Sequence, residues 1–350
     1  MKKSGFANTA NGRSSIWSAV FFLLLFGGIL WLSWIVSENR TETTFEQGRK
    51  FLRVDDWGGA MRCFTRVIKM DPEFSPGYVD RAMAERGLCQ YNKAISDCNR
   101  AIEINSNDCY AFIQRGLTEI GEGNVGAAIA DYVQLHAPRL KPTNSYAFYE
   151  MGILDCELSN YDEAIVSMTH GIQLGNDPSF GYFHRAIVKE KDGNMDGALS
   201  DFDKAIDLSP TNSVYYNDRG WAEFLKSDFG SSIADATRSI QLDPNFGYAY
   251  GTRGWARYKM GDLSGAVEDC KKATQLFKPG STSFLHDQGM LDFIAKDYAQ
   301  AIADWQNAIR REPDLKKELL PWIEKAQKIG GIKLPNSSNN ASQSVTMPDR

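Results

Sequence analysis

Five arginines that recur at intervals of 34 or 70 residues in this 350-residue chain are each followed sixteen residues later by an aspartate: Arg81 with Asp97, Arg115 with Asp131, Arg185 with Asp201, Arg219 with Asp235 and Arg253 with Asp269. Side chains on one helix meet at spacings of about three or four, so a spacing of sixteen joins two different elements. Such a set can do one of two things. It can form a cationic ladder for an anionic ligand, or it can bury ion pairs that fix the register of paired helices. An unpaired buried charge is costly, and the arginines and aspartates come and go together along the chain, so the ion-pair reading is preferred.

Little else has the spacing of a chemical site. His136, His170, His184 and His286 are scattered, and no HExxH, GxSxG, Walker-type or GxGxxG sequence accompanies them. Cys63, Cys89, Cys98, Cys109, Cys156 and Cys270 form no CxxC and no close pair with histidine, which argues against a zinc site. A formal net charge of -5 gives no concentrated positive field for phosphates. The expectation is a protein that is not an enzyme and has no cofactor, no metal, no small-molecule substrate and no nucleic-acid partner.

The elements that would position the arginines emerge from self-comparison. A small residue recurs at Gly48, Ala82, Gly116, Gly152, Ala186, Gly220, Gly254 and Gly289, and another follows each: Ala60, Ala94, Ala128, Ala164, Ala198, Ser232, Ala266 and Ala301. Turn clusters such as Gly121-Glu122-Gly123-Asn124, Asp192-Gly193-Asn194 and Met260-Gly261-Asp262 lie between. The period is close to 34 and predicts pairs of antiparallel helices that touch where the side chains are smallest. One hairpin cannot bury its own apolar face, so neighbours must stack.

This pattern resembles the tetratricopeptide-repeat family. The resemblance implies an all-α, right-handed superhelical solenoid of about eight hairpins, over 41–74, 75–108, 109–144, 145–178, 179–212, 213–246, 247–281 and 282–315. The third and seventh units carry extra residues before the next helix. Residues 316–331 read as a capping helix that covers the last apolar face through Leu319, Trp322 and Ile323. The tail 332–350 is polar and aperiodic and reads as disordered.

In that family the first helix of each hairpin lines a concave face, through positions 2, 5, 9 and 12 of the unit. Carried over, those positions give a partner-binding groove of Tyr110, Tyr146, Tyr149, Phe180, Phe183, Trp221, Phe224, Tyr248, Trp255, Tyr258 and Met290. Some of these rings must belong to the core between hairpins, but the remainder would form an exposed apolar surface suited to a helix or an extended peptide. Trp221 and Trp255 hold the same position in adjacent units, which predicts indoles in line about 10 Å apart. The carboxylate-clamp version of the family needs polar groups where Phe45, Val79 and Tyr110 stand, so it is not expected.

Ahead of the repeats, Lys2, Lys3 and Arg13 precede the uncharged run Ile16–Val36, long enough for a helix to cross a bilayer. A cleaved leader is the rival reading, but Ile35-Val36-Ser37 is a poor cleavage sequence. The flanking charges predict a single-pass membrane protein, with residues 1–15 as a basic cytoplasmic N-terminus and the repeats in the periplasm or lumen. The function expected on these grounds is a membrane-anchored scaffold that assembles or retains a complex. The alternatives are a permanent structural subunit of a larger assembly, or a regulatory or substrate-delivery subunit of an enzyme carried on a separate chain.

Overall fold

The computed structural model describes residues 40–135, 140, 142–175 and 177–332, and all regular structure among them is helical. The chain divides into two compact units, Met1–Ser167 and Met168–Arg350. The first contains a helix over 40–52 (α1), α2 (Trp57–Met70), α3 (Ser75–Gly87), α4 (Tyr91–Ile104), α5 (Cys109–Glu122), α6 (Val125–Leu135) and α7 (Ser145–Glu157). The division falls inside α8 (Tyr161–Leu174). The second unit continues with α9 (Pro178–Lys191), α10 (Met195–Leu208), α11 (Ser213–Leu225), α12 (Phe229–Leu242), α13 (Gly247–Met260), α14 (Leu263–Leu276), α15 (Thr282–Ile294), α16 (Tyr298–Arg311) and α17 (Lys316–Gly330). Within each unit, helices such as α3 and α4, or α13 and α14, fold back on each other as antiparallel pairs.

The turn inside each pair follows one rule. Its central residue has a left-handed backbone, with φ of 56° at Asp55 and Cys89, 62° at Ser159 and 67° at Ser227 and Lys296; glycine supplies it at 123, 193 and 261. The next residue in several pairs is an Asp or Asn that caps the second helix. Asp56, Asn194, Asp228, Asp262 and Asp297 each accept from a backbone N–H three residues on. A left-handed residue followed by a cap stops one helix and starts the next within a few residues.

Side-chain size then sets how closely the pair approaches. Ala60, Ala94, Ala128, Ala164, Ala198, Ser232, Ala266 and Ala301 are all fully buried. A Cβ on Gly254 would stand 2.7 Å from Cys270 Sγ and 3.3 Å from the Ala266 carbonyl, so no larger residue fits without moving α13 off α14. At the end of the second unit α17 lies on α16 and buries Leu319, Trp322, Ile323 and Ala326.

One expectation is corrected. The apolar run Ile16–Val36 lies outside the described residues, as does the tail 333–350. Among the described residues no helix is long and apolar enough to cross a membrane. Against the expected single-pass localisation with the repeats beyond a bilayer, the described residues supply no membrane-crossing helix.

Candidate functional site

All five arginine–aspartate pairs form. Each arginine approaches side-on, with Nε to one carboxylate oxygen and Nη2 to the other at 2.5–2.9 Å. Each guanidinium also lies 5.3–5.7 Å from a ring three residues earlier: Tyr78, Phe112, Tyr182, Tyr216 or Tyr250. The third edge was not foreseen. Nη1 reaches back to the preceding hairpin, to Thr65, Asn99, Thr169, Asp203 or Thr237. Those five oxygen-bearing residues stand sixteen positions before their arginines, so the same self-comparison would have found them. With every edge of the guanidinium engaged, little of it is left for an anionic ligand.

The groove residues separate by depth. In the first unit Tyr146 is exposed, Tyr110 is half-buried with its hydroxyl on Met83 Sδ at 3.0 Å, and Tyr149 is fully buried. In the second, Phe183, Phe224, Trp255 and Met290 are core. Phe180, Trp221 and Tyr258 are half-buried, and Tyr248 is exposed. The residues taken from position 5 (Phe45, Val79, Ile113, Tyr149 and Phe183) are all buried, because that position faces the neighbouring hairpin and not the open side. The two tryptophans also differ from expectation. Their rings meet edge to face at 6.5 Å, and Trp255 is sealed beneath His286 (4.5 Å, stacked) and Trp322 of α17 (5.0 Å).

What the second unit does present is a cleft of about 380 Å³. Its walls come from the first helices of successive hairpins: Ile187 and Glu190 of α9, Asn217, Asp218 and Trp221 of α11, Tyr248 and Thr252 of α13, and His286 and Asp287 of α15. Phe277, Glu312, Leu315 and Glu318 close its end. Hydrogen bonds hold these walls. Thr252 Oγ1 donates to Asn217 Oδ1 at 3.0 Å, Asn217 Nδ2 donates to Asp218 Oδ1 at 2.8 Å, and Ser283 Oγ donates to the Tyr248 hydroxyl at 3.1 Å. Asp287 Oδ1 accepts from the Trp255 indole at 2.9 Å and lies 3.1 Å from His286 Nδ1. Gly251 is needed here, since a Cβ would fall 2.7 Å from Asp287 Oδ2.

The cleft is acidic as well as aromatic. Glu190, Asp218, Asp287, Glu312 and Glu318 line it against the single imidazole of His286. Burial alone would lower the His286 pKa, but Glu318, with its Oε1 2.6 Å from Nε2, and Asp287 push it up to about 10, so the ring is a cation at neutral pH. Burial, then the charges of Asp218 and Glu318, push Glu190 up to about 7; burial pushes Asp218 up to about 6. The sequence reading set His286 aside and did not single out Glu190, Asp218, Asp287, Glu312 or Glu318. Asp218 and Asp287 share the sixth position of their units, but Glu190 holds another, Glu312 lies near the end of the last unit and Glu318 lies beyond it, so the five converge only when the hairpins stack.

Solved structures share the fold. The chain matches that of the APC/C hetero-tetramer Cut9–Hcn1 over 82% of its own length and 54% of that chain, with a TM-score of 0.60 and 14% identity. Human IFIT1, as a dimer with PPP-AAAA, matches over 77% of this chain and 72% of that one, with a TM-score of 0.56 and 14% identity. A tetratricopeptide-repeat protein from Parabacteroides merdae gives 73% and 98%, a TM-score of 0.50 and 18% identity. At such identities the likeness shows the fold, which is that of tetratricopeptide repeats. Among curated proteins, RNA polymerase II-associated protein 3 of Xenopus tropicalis is 32% identical over 87 residues, 25% of this chain and 13% of that protein. Human serine/threonine-protein phosphatase 5 is 32% identical over 94 residues, 27% of this chain and 19% of that protein. Mouse tetratricopeptide repeat protein 16 is 24% identical over 136 residues, 37% of this chain and 18% of that protein. The chain thus spans less than a fifth of the length of these relatives. No protein-family model matches it.

Proposed function

We propose that this chain is a non-catalytic interaction scaffold that holds a segment of another polypeptide in the cleft of its second unit. One observation carries the reading: four successive first helices, α9, α11, α13 and α15, open a single cleft in which the Trp221 and Tyr248 rings remain partly accessible. Rigid aromatic surface with hydrogen-bonded walls loses little entropy on binding and supplies most of the affinity in peptide recognition. The fold lends support, since the neighbour Cut9 occurs in a hetero-tetramer with Hcn1.

The test replaces Trp221 and Tyr248 together with alanine in the full chain and compares the proteins that co-purify with variant and wild type. The reading expects the wild-type partners to disappear while helical content and melting temperature hold. Retention of every partner by a folded variant would remove the cleft from consideration.

A further inference from the structure

Glu190 and Asp218 stand out within the cleft. The Glu190 carboxylate, on the last turn of α9, makes no hydrogen bond or ion pair among the described residues. Asp218, on the facing turn of α11, has its Oδ1 on Asn217 and no partner on Oδ2. Each repels the other, and Lys191 and Lys317 offset Glu190 only in part. Three buried aspartates of this unit hold arginine: Asp201 pairs with Arg185 and Lys189, Asp235 with Arg219, and Asp269 with Arg253 and Arg257. Two half-buried carboxylates that share a cleft without a hydrogen-bonded cation repel each other, and a bound cation would relieve that repulsion. Burial raises their pKa values to about 7 and about 6, with the charges of Asp218 and Glu318 adding to the shift at Glu190.

The occupant's chemistry follows from what surrounds the pair. Among the described residues no group of His, Cys, Asp and Glu could hold a metal ion, and an indole wall is no metal ligand. Phosphate is excluded by charge. A guanidinium fits: it is planar, forks onto two carboxylates and stacks on aromatic faces, and it is more weakly hydrated than an ammonium. Trp221 lines the same wall as Asp218, one helical turn on, and its ring is half-exposed.

Resting on the reading of the cleft as a polypeptide-binding site, we propose that it recognises an arginine side chain of the partner, held between the Glu190 and Asp218 carboxylates and against the Trp221 indole. Acceptance of an arginine-bearing chain here is the opposite of a basic clamp on a carboxylate.

The experiment selects ligands for the full chain from a random linear peptide library and titrates the selected peptides calorimetrically. The expected result is an arginine at a fixed place in the selected sequences. Its replacement by glutamine should weaken binding about tenfold or more, and lysine should recover only part of the loss. Glu190→Gln with Asp218→Asn in the chain should produce the same loss with no fall in melting temperature, because the two neutralised groups leave no partner stranded. Selected peptides that lack arginine, and that bind the Gln/Asn chain as well as wild type but fail on Trp221→Ala, would overturn the arginine and leave the cleft reading standing. Equal affinity for lysine would overturn it too. A library that yields no ligand at all would remove both.

Discussion

Arg219 and Asp235 meet side-on, Nε to Oδ2 at 2.6 Å and Nη2 to Oδ1 at 2.8 Å, and thereby clamp α11 to α12. Asp235 is 8% exposed and has this one cationic partner, whereas Asp269 keeps Arg257 on Oδ2 at 2.8 Å in addition to Arg253. Arg219→Met should therefore cost about 1–3 kcal/mol by stranding a buried carboxylate. Arg253→Met should cost less, and Arg219→Met with Asp235→Leu should recover part of the loss. Urea midpoints of the three variants check this. Equal costs at Arg219 and Arg253 would show that the second cation on Asp269 carries no weight.

The two tryptophans of α11 and α13 should behave differently. Trp255 is fully buried and donates to Asp287, so Trp255→Ala should destabilise by about 3–5 kcal/mol. Trp221→Ala, on the half-exposed wall, should cost about 1 kcal/mol or less. Melting curves of the single variants decide it. A Trp221 variant as unstable as the Trp255 variant would place both rings in the core.

Those two residues also show how far sequence reaches. The period, the small contact residues and the arginine–aspartate spacing were legible because each is repeated several times along one chain, and repetition makes a weak signal strong. Depth was not. Trp221 and Trp255 hold the same repeat position, but only Trp255 has α17 over it, so its burial depends on a segment more than sixty residues away. The acidic lining was hidden for a similar reason. Glu190 and Asp218 occupy different positions in adjacent hairpins, and Glu318 comes from outside the repeat, so no internal comparison aligns them.

The left-handed turn residue gives a prediction of stabilisation. Lys296 has φ of 67° at a place where three other hairpins use glycine, and its side chain is exposed. An L-residue costs about 1–2 kcal/mol there, while glycine costs unfolded-state entropy of about 0.5–1 kcal/mol. Lys296→Gly should therefore raise stability by roughly 0.5–1 kcal/mol, read as a higher urea midpoint. The same change at Glu122, which ends α5 one residue before Gly123, should lower it. A fall in both variants would show that the turn is held by its side chains and not by its backbone.

Stability should decline with rising pH in two separable steps. Burial raises Glu223 to about 7, and the charge of Asp235 adds to the shift; Glu85 behaves in the same way beside Asp97. A carboxyl whose pKa is higher folded than unfolded contributes stability that is whole below the unfolded value of about 4.5 and is lost as pH rises through the folded one. The first step therefore runs between about pH 4.5 and 7, and Glu223→Gln should make it shallower by one carboxyl's share, since Glu85, Glu190 and Asp218 still titrate there. The second belongs to His286, whose imidazolium joins α15 to α17 through Glu318 at 2.6 Å. Its contribution is whole below about 6.5 and is lost as pH climbs toward its folded value of about 10. His286→Gln should lower stability at neutral pH and leave it nearly level above pH 7, where the wild type still falls. Urea midpoints taken across this range for wild type and both variants separate the steps. A wild-type midpoint that rises between pH 7 and 10 would contradict the assignment of His286 as a cation in the folded chain.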